Sequence, residues 1–167
     1  MYLKTQRLEI KPVCPESLEQ LTDLLTDDVV KKTYMLPDFA SREDARKLAE
    51  RIRGLSEDPA RYVAGIYLQG QLIGMMNETE REGDCIEMGY ALLPRFHNRG
   101  YCTEAMTGVI AYLFAQGFDR VLAGAFEGNK ASLRVMEKSG MTRIEKQDMI
   151  EYRGKTHRCI YCLAKKT

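Results

Sequence analysis

A crossover in the middle of the chain constrains the fold more than any other feature. Apolar residues predict a strand over residues 85–93, and a basic loop containing Gly100 follows it. Residues 105–114 then read as a helix, and residues 121–126 predict another strand. Two strands joined through a helix run parallel in the same sheet, with a right-handed connection. The sequence therefore predicts a sheet that is at least partly parallel.

The remaining strands follow from alternation at period two in residues 5–13 and from segments bounded by turn residues elsewhere, and the helices follow from apolar residues at helical spacing. Further strands are predicted over residues 5–13, 62–68, 71–80, 141–150 and 157–163. Further helices are predicted from Pro15 onward, from Ser41 to Gly54 and from Asn129 to Ser139. Turn residues between successive strands indicate antiparallel hairpins. We expect an α+β fold in which a mixed, mostly antiparallel central sheet of six or seven strands carries helices on both faces, in a single domain spanning residues 1–167.

Composition excludes several classes of partner. The net charge is +1, with 44% hydrophobic and 29% charged residues, so no global charge attracts the chain to nucleic acid or to a membrane. The chain shows no bilayer-length apolar run and no signal-peptide layout. Five scattered cysteines favour reduced thiols over a disulfide framework. We expect a cytoplasmic protein, a monomer or homodimer, that binds no nucleic acid.

The loop before the central helix has the chemistry of an anion site. A helix start offers backbone N–H groups without intrahelical partners and a partial positive charge. Gly100 allows a ligand to approach the backbone closely, and Arg95 and Arg99 add positive charge. Residues 97–103 are therefore predicted to form a cradle for a pyrophosphate.

An alternative is an ordinary capped helix. Thr103 or Asn98 would then be the cap, and Glu104 would be an acid that favours the first turn. Neither the G-x-x-x-x-G-K-[ST] motif nor a G-x-G-x-x-G motif after a strand is present.

Two blocks of sequence carry a resemblance to a known family. MGYALLP at residues 88–94, followed by NRGYCTEA at residues 98–105, resembles the cofactor-binding core of the GNAT superfamily of N-acetyltransferases. NKAS at residues 129–132 and MEKSGM at residues 136–141 resemble the branch that acetylates ribosomal-protein N-termini, as does TQRL at residues 5–8. His97 departs from the usual Arg or Gln of the family loop, and Cys102 from the usual Gly or Ala. Neither change should abolish binding by backbone amides.

The resemblance implies acetyl-CoA as co-substrate and no metal. It implies that the pantetheine arm lies in a V-shaped gap between two strands, along Tyr90 to Leu93, with the amide of Leu92 or Leu93 near the thioester oxygen. It implies that the pyrophosphate is bound by a run of backbone amides, those of Arg99, Gly100, Tyr101, Cys102 and Thr103. Asn129 would contact the pantetheine amides, and Ser132 would hydrogen-bond the thiol or the pantetheine. From the residues alone, Asn129 could be a plain helix cap.

The resemblance further implies N-acetyltransfer to a primary amine by direct attack. Glu87 is the first candidate for the base that accepts the ammonium proton, and Glu127 is the second. Each could equally be a solvated or paired carboxylate. The segment from Thr26 to Arg53 should cover the acceptor, and its Asp27 and Asp28 could attract a cationic amine or be plain surface charges. The alternative from another class is a non-catalytic acyl-CoA-binding sensor.

Two cysteine signals remain. Cys159 and Cys162 form a C-x-x-C pair, but on a strand they would point to opposite faces, so no metal is expected. Cys102, at a helix start, could have a lowered thiol pKa, although a packed and inert thiol is the alternative.

Overall fold

Eight strands form one sheet in the computed structural model, which describes every residue from Met1 to Thr167. The strands are β1 Leu3–Lys4, β2 Leu8–Lys11, β3 Val63–Leu68, β4 Gln71–Glu82, β5 Cys85–Leu92, β6 Arg120–Phe126, β7 Thr142–Tyr152 and β8 Lys155–Lys165. The helices are α1 Leu18–Thr26, α2 Arg42–Glu57, α3 Tyr101–Ala115 and α4 Lys130–Lys138. None of these helices is both long and apolar enough to cross a membrane.

The strand order in the sheet is β1-β2-β3-β4-β5-β6-β8-β7. Only β5 and β6 pair in parallel, and every other neighbouring pair is antiparallel, which confirms the predicted mixed, mostly antiparallel sheet. The expected six or seven strands are fewer than the eight observed, and β1 is the strand that was not predicted. Its two residues, Leu3 and Lys4, are too few to show an alternating pattern.

Helices cover both faces of the sheet, as predicted. On one face, α3 and α4 pack on the larger apolar cluster, to which α3 contributes Met106, Val109 and Leu113. On the other face, α1 and α2 pack on a second cluster that includes Leu21 and Ile52. Successive side chains of a strand point to opposite faces, so each central strand feeds both clusters.

Helix α2 shows how local and tertiary signals combine. Ser41 is its cap, since the Ser41 hydroxyl accepts a hydrogen bond from the Asp44 N–H at 3.2 Å. The helix does not end at Gly54 as predicted but continues to Glu57. A tertiary contact extends it, because the buried Ser56 hydroxyl accepts a hydrogen bond from the Val13 N–H at 2.8 Å.

The sheet opens between its two parallel strands. Pairing of β5 with β6 is confined to Cys85–Arg120, Ile86–Val121 and Glu87–Leu122. Beyond these pairs β5 stays bonded to β4 as far as Leu92, and β6 stays bonded to β8 as far as Phe126. The two halves of the sheet therefore separate after Glu87. We call the space between residues 88–92 and residues 123–126 the gap.

Candidate active site

The start of α3 lies just past the end of β5, beside the gap. Two residues of the connecting loop have positive φ, Asn98 at 58° and Gly100 at 78°. Gly100 is the N-cap of α3, and no side chain caps the helix. The alternative in which Asn98 or Thr103 caps an ordinary helix is therefore wrong. Glu104 lies in the first turn, as that alternative expected, but its carboxylate is held by other groups that are described below.

Six consecutive backbone N–H groups in this loop have no acceptor within the chain. They belong to residues 98–103, and the first N–H group to bond again is that of Glu104, which donates to the Gly100 carbonyl at 3.0 Å. A run of N–H groups around residues with positive φ at a helix start forms an anion-binding concavity. Arg99 forms no ion pair with a carboxylate of the chain, so its charge stays available, whereas Arg7 pairs with Glu104. The geometry fits a phosphate-bearing ligand.

The edge of β5 that faces the gap carries free backbone groups. The Leu93 N–H donates to the Ile73 carbonyl of β4 at 2.9 Å, so Leu93 points away from the gap. Because successive residues of a strand point their N–H groups to opposite edges, the Leu92 N–H faces the gap. The Leu92 carbonyl is within 2.9 Å of the His97 ring nitrogen Nε2, which ties the loop back to the strand. Of the two candidate amides, only that of Leu92 is placed to meet a ligand in the gap.

Glu87 lies where the sheet divides, as the last residue of β5 that pairs with β6. Burial raises the pKa of its half-buried carboxyl, and the hydrogen bond from Thr79 and the charge of Lys146 oppose this only in part. A carboxylate with a raised pKa is a better proton acceptor near neutral pH than a solvated one. Glu127, the second candidate, is exposed and lies 3.5 Å from the Arg158 guanidinium, as the surface alternative expected.

Asn129 and Ser132 lie on the far side of the gap, at the start of α4. The Asn129 side-chain oxygen accepts the Ser132 N–H at 3.1 Å, so Asn129 is the helix cap, and its amide nitrogen remains free to donate. The Ser132 hydroxyl lies 2.7 Å from the Tyr90 hydroxyl. Burial raises the pKa of Tyr90, which keeps this phenol protonated. The contact between the Tyr90 and Ser132 hydroxyls was not predicted from the sequence, because the two residues lie 42 positions apart.

Cys102 is not activated by the helix start. Its side chain packs against the larger apolar cluster, and burial raises the pKa of the thiol to about 12. Of the two possibilities that the sequence left open for Cys102, the packed, inert thiol is therefore confirmed and a lowered pKa is excluded. Cys159 and Cys162 do point to opposite faces: Cys162 belongs to the cluster under α3 and α4, while Cys159 packs with Leu122 on the other face.

A loop between α1 and α2 covers the other face of β5 near Gly89. A side-chain carbon on Gly89 would lie 3.6 Å from the Tyr34 ring and 3.3 Å from the Asn77 side-chain oxygen. The Tyr34 hydroxyl donates to that same oxygen. Under the loop lies a cavity of about 230 Å³ with mainly apolar walls. Its lining includes Leu25, Tyr34, Leu36, Ile52, Met75, Asn77 and Glu78.

The end of β7 and the turn that follows it contact this loop, which spans residues 27–41 between α1 and α2. The Tyr152 hydroxyl donates to the Lys31 carbonyl at 2.6 Å and accepts the Leu36 N–H at 3.3 Å. The Arg153 guanidinium adds an ion pair to Asp38 at 2.7 Å. No local sequence pattern predicts these contacts, because Tyr152 lies 121 positions after Lys31.

The two aspartates that were expected near the acceptor are already engaged. The Asp27 carboxylate accepts the N–H groups of Val29 and Val30 at 2.8 and 3.0 Å, so it caps a short turn. Asp28 pairs with Lys31 at 3.1 Å. Both therefore stabilise the loop, a role that neither of the two alternatives, attraction of a cationic amine or a plain surface charge, had predicted.

A mixed sheet opened between two parallel strands, with unbonded N–H groups of a helix start beside the opening, is the arrangement that the resemblance implied for an acyltransferase. Residues 7–142 match the family described as acetyltransferase (GNAT) domain. The chain belongs to that family, which confirms the resemblance seen in the sequence. The β7–β8 hairpin, with Tyr152, lies almost wholly beyond the matched residues.

Individual relatives agree with the family. The uncharacterized N-acetyltransferase YoaA of Bacillus subtilis (strain 168) is 26% identical over 146 residues, covering 84% of this chain and 82% of YoaA. A GNAT-family acetyltransferase from Bacillus anthracis has a crystal structure that is 25% identical, with a TM-score of 0.84 over 99% of this chain and 98% of that one. RimL, a ribosomal L7/L12 alpha-N-protein acetyltransferase in complex with coenzyme A, shares the fold at 17% identity, with a TM-score of 0.86 over 99% and 98% of the two chains.

Proposed function

We propose that this protein transfers an acetyl group from acetyl-CoA to a primary amine, which attacks the thioester directly. The observation that carries this proposal is the run of six unbonded N–H groups at residues 98–103, next to the open edge of β5. The unbonded N–H groups suit a diphosphate, and the open strand edge suits an extended arm that carries amide groups. The RimL structure, which shares this fold, is a complex with coenzyme A.

The donor is placed by main-chain groups. The diphosphate lies against the amides of residues 99–103, with the Arg99 side chain adding charge. The pantetheine arm enters the gap along Tyr90 to Leu93, and the Leu92 N–H donates to the thioester oxygen. Such a donor stabilises developing negative charge by about 3 kcal/mol in other enzymes. Asn129 donates to the arm from the opposite side through its free amide nitrogen.

Protons are handled by Glu87 and by the hydroxyl pair of Tyr90 and Ser132. Glu87 accepts the proton of the incoming ammonium, directly or through water, and its raised pKa suits this task. Tyr90, which its raised pKa keeps protonated, donates to the Ser132 carbonyl at 3.2 Å when no donor is bound. During transfer this hydroxyl turns to the departing sulfur together with that of Ser132, and the sulfur ends as a thiol with the second proton that the attacking nitrogen loses. No acetyl-enzyme is formed in this scheme, since the thiol of Cys102 is buried and its pKa is raised.

The acceptor is a primary amine, and four classes of molecule that carry such an amine are compared in the assay. A protein N-terminus, a polyamine, an aminoglycoside-like drug and an amino-acid-like metabolite are the classes to compare. RimL is named as an alpha-N-protein acetyltransferase, so a protein N-terminus is included among these classes. The loop that contains Tyr34 covers β5 near Gly89, and Tyr152 bonds to this loop. The loop would therefore select among these classes of amine.

We place the reaction in the cytoplasm. All five cysteines carry free thiols in the structure, which suits a reducing compartment. The proposed partners are acetyl-CoA and the amine, with the protein acting as a monomer or a homodimer.

The test combines binding with turnover. Thermal shifts with acetyl-CoA measure donor binding, and release of free thiol in the presence of an amine library measures transfer. We expect stabilisation by acetyl-CoA and thiol release with at least one class of amine. Tight binding without thiol release for any amine would favour the sensor, and an absence of acetyl-CoA binding would overturn the proposal.

A further inference from the structure

The N-terminal segment of the chain passes directly beneath the start of α3. Three donors from this segment converge on the carboxylate of Glu104. The Thr5 hydroxyl and the Arg7 N–H donate to one oxygen at 2.6 and 2.7 Å. The Arg7 side-chain Nε donates to the other oxygen at 2.6 Å. Glu104 therefore anchors a segment that lies 97 positions earlier in the chain.

Arg7 also reaches the loop whose N–H groups are unbonded. Its Nη1 donates to the Arg99 carbonyl at 3.1 Å, and its guanidinium carbon lies 4.5 Å from the centre of the Tyr101 ring. Its Nη2 lies 3.4 Å from the position that a side-chain carbon would take on Gly100. One arginine thus touches three successive residues of the proposed diphosphate site.

The bond to the Arg99 carbonyl fixes the direction of the next N–H group. In a trans peptide the C=O and the following N–H point in opposite directions across one plane. A carbonyl directed at Arg7 therefore turns the Gly100 N–H away from Arg7, toward the side on which a ligand would lie. Arg7 in this way holds one of the six free N–H groups in its outward orientation.

Arg7 also balances a negative charge at the helix start. Burial alone would raise the pKa of Glu104, but the hydrogen bonds from Thr5 and Arg7 outweigh it and hold the pKa below its ordinary value. Glu104 is therefore ionised at neutral pH, one turn from the site. Without Arg7, its charge would repel a diphosphate.

A glycine within α3 makes room for this arrangement. A side-chain carbon on Gly108 would lie 2.8 Å from the Thr5 methyl carbon and 3.0 Å from the side chain of Leu3. A glycine inside a helix costs roughly 1 kcal/mol relative to alanine in intrinsic propensity, so its presence needs a packing reason. The close approach of the N-terminal segment supplies that reason.

We propose that Thr5 and Arg7 are positioning residues for the diphosphate site. They hold the backbone of residues 99–101 in its anion-binding shape and neutralise Glu104. The inference rests on the proposed binding of acetyl-CoA. It assigns a role in donor binding to a segment that precedes the rest of the site by about 90 residues in the sequence.

The experiment compares CoA with pantetheine, which lacks the diphosphate, in titrations of the full chain. We expect Arg7→Ala to raise the Kd for CoA about tenfold or more, and the Kd for pantetheine by less than about twofold. Adding Glu104→Gln to that variant should recover about threefold of the lost affinity, because the uncompensated charge is then gone. Arg120→Ala is the matched control, since the Arg120 side chain is about as exposed as that of Arg7 and pairs with Asp84 at 2.6 Å at the opposite end of β5.

The outcomes separate the two proposals. If the unaltered protein does not bind CoA, the proposed function fails. If it binds CoA but Arg7→Ala binds equally well, or if CoA and pantetheine weaken by the same factor, the positioning role fails alone. A double variant that binds no better than Arg7→Ala refutes the charge component. Should Arg7→Ala fail to fold by circular dichroism, Gly108→Ala, which displaces Thr5 while keeping every charge, must weaken CoA binding selectively or the inference falls.

Discussion

Replacing Gly100 by Asp and by Asn tests the position of the diphosphate through charge alone. The two side chains have nearly the same shape, and both tolerate the left-handed backbone that Gly100 adopts at φ 78°. The new side-chain carbon would lie 3.4 Å from Arg7 Nη2, so either residue fits with a small adjustment. Any difference in CoA affinity between the two variants therefore reports electrostatics.

The size of the difference follows from Coulomb's law. A carboxylate about 5 Å from one diphosphate charge, at an effective dielectric constant of about 20, costs about 3 kcal/mol. Arg7 is close enough to pair with the new carboxylate and to offset part of this cost. We expect Gly100→Asp to bind CoA between about tenfold and about 100-fold more weakly than Gly100→Asn.

Calorimetric titration with CoA measures this difference, and circular dichroism checks that both variants fold. Repeating the titration at about 1 M salt, where the screening length is about 3 Å, should shrink the difference. Equal affinities for the two variants at low salt would show that the diphosphate binds elsewhere. A difference that salt does not reduce would show that charge is not its cause.

Three further predictions concern the reaction. Glu87→Gln should lower kcat/KM most between the raised pKa of Glu87 and neutral pH, where the carboxylate is ionised and the amine is protonated, and less at high pH. Glu127→Gln is the control. An unchanged pH profile would exclude Glu87 as the base. Tyr90→Phe should lower kcat about tenfold with little change in CoA affinity. Ser132→Ala should lower kcat by less, because the phenol remains. Equal rates in Tyr90→Phe and the unaltered protein would exclude Tyr90 from the reaction. Tyr152→Phe should raise KM for the amine several-fold and leave CoA affinity unchanged, as initial-rate measurements would show; an effect on CoA alone would contradict our placement of the acceptor.

The fold was largely predictable because its signals are local. Apolar segments separated by turn residues predict seven of the strands, and α3 and α4 end at Ala115 and Lys138, each within one residue of the predicted end. What escaped prediction depends on distant contacts. Strand β1 is recognised only by its pairing with β2, and α2 extends past Gly54 because Ser56 bonds to Val13.

The candidate site divides in the same way. Its main-chain part could be expected from Gly100 and the helix that follows, since backbone geometry follows local sequence. Its side-chain part could not, because Tyr90 meets Ser132 and Tyr152 meets Lys31 only after the chain has folded. The pKa of Cys102 was left open between a lowered value and a packed, inert thiol for the same reason: proximity to a helix start is visible in the sequence, whereas burial is not.

The narrow seam between the parallel strands has a mechanical consequence. Only three residue pairs join the half of the sheet that ends in β5 to the half that begins with β6. A pantetheine arm lying in the gap would bridge the two halves as a partial ninth strand. The bound donor would then stiffen the part of the sheet that carries Glu87. The amine would therefore meet a firmly held Glu87 only when the acetyl group is in place.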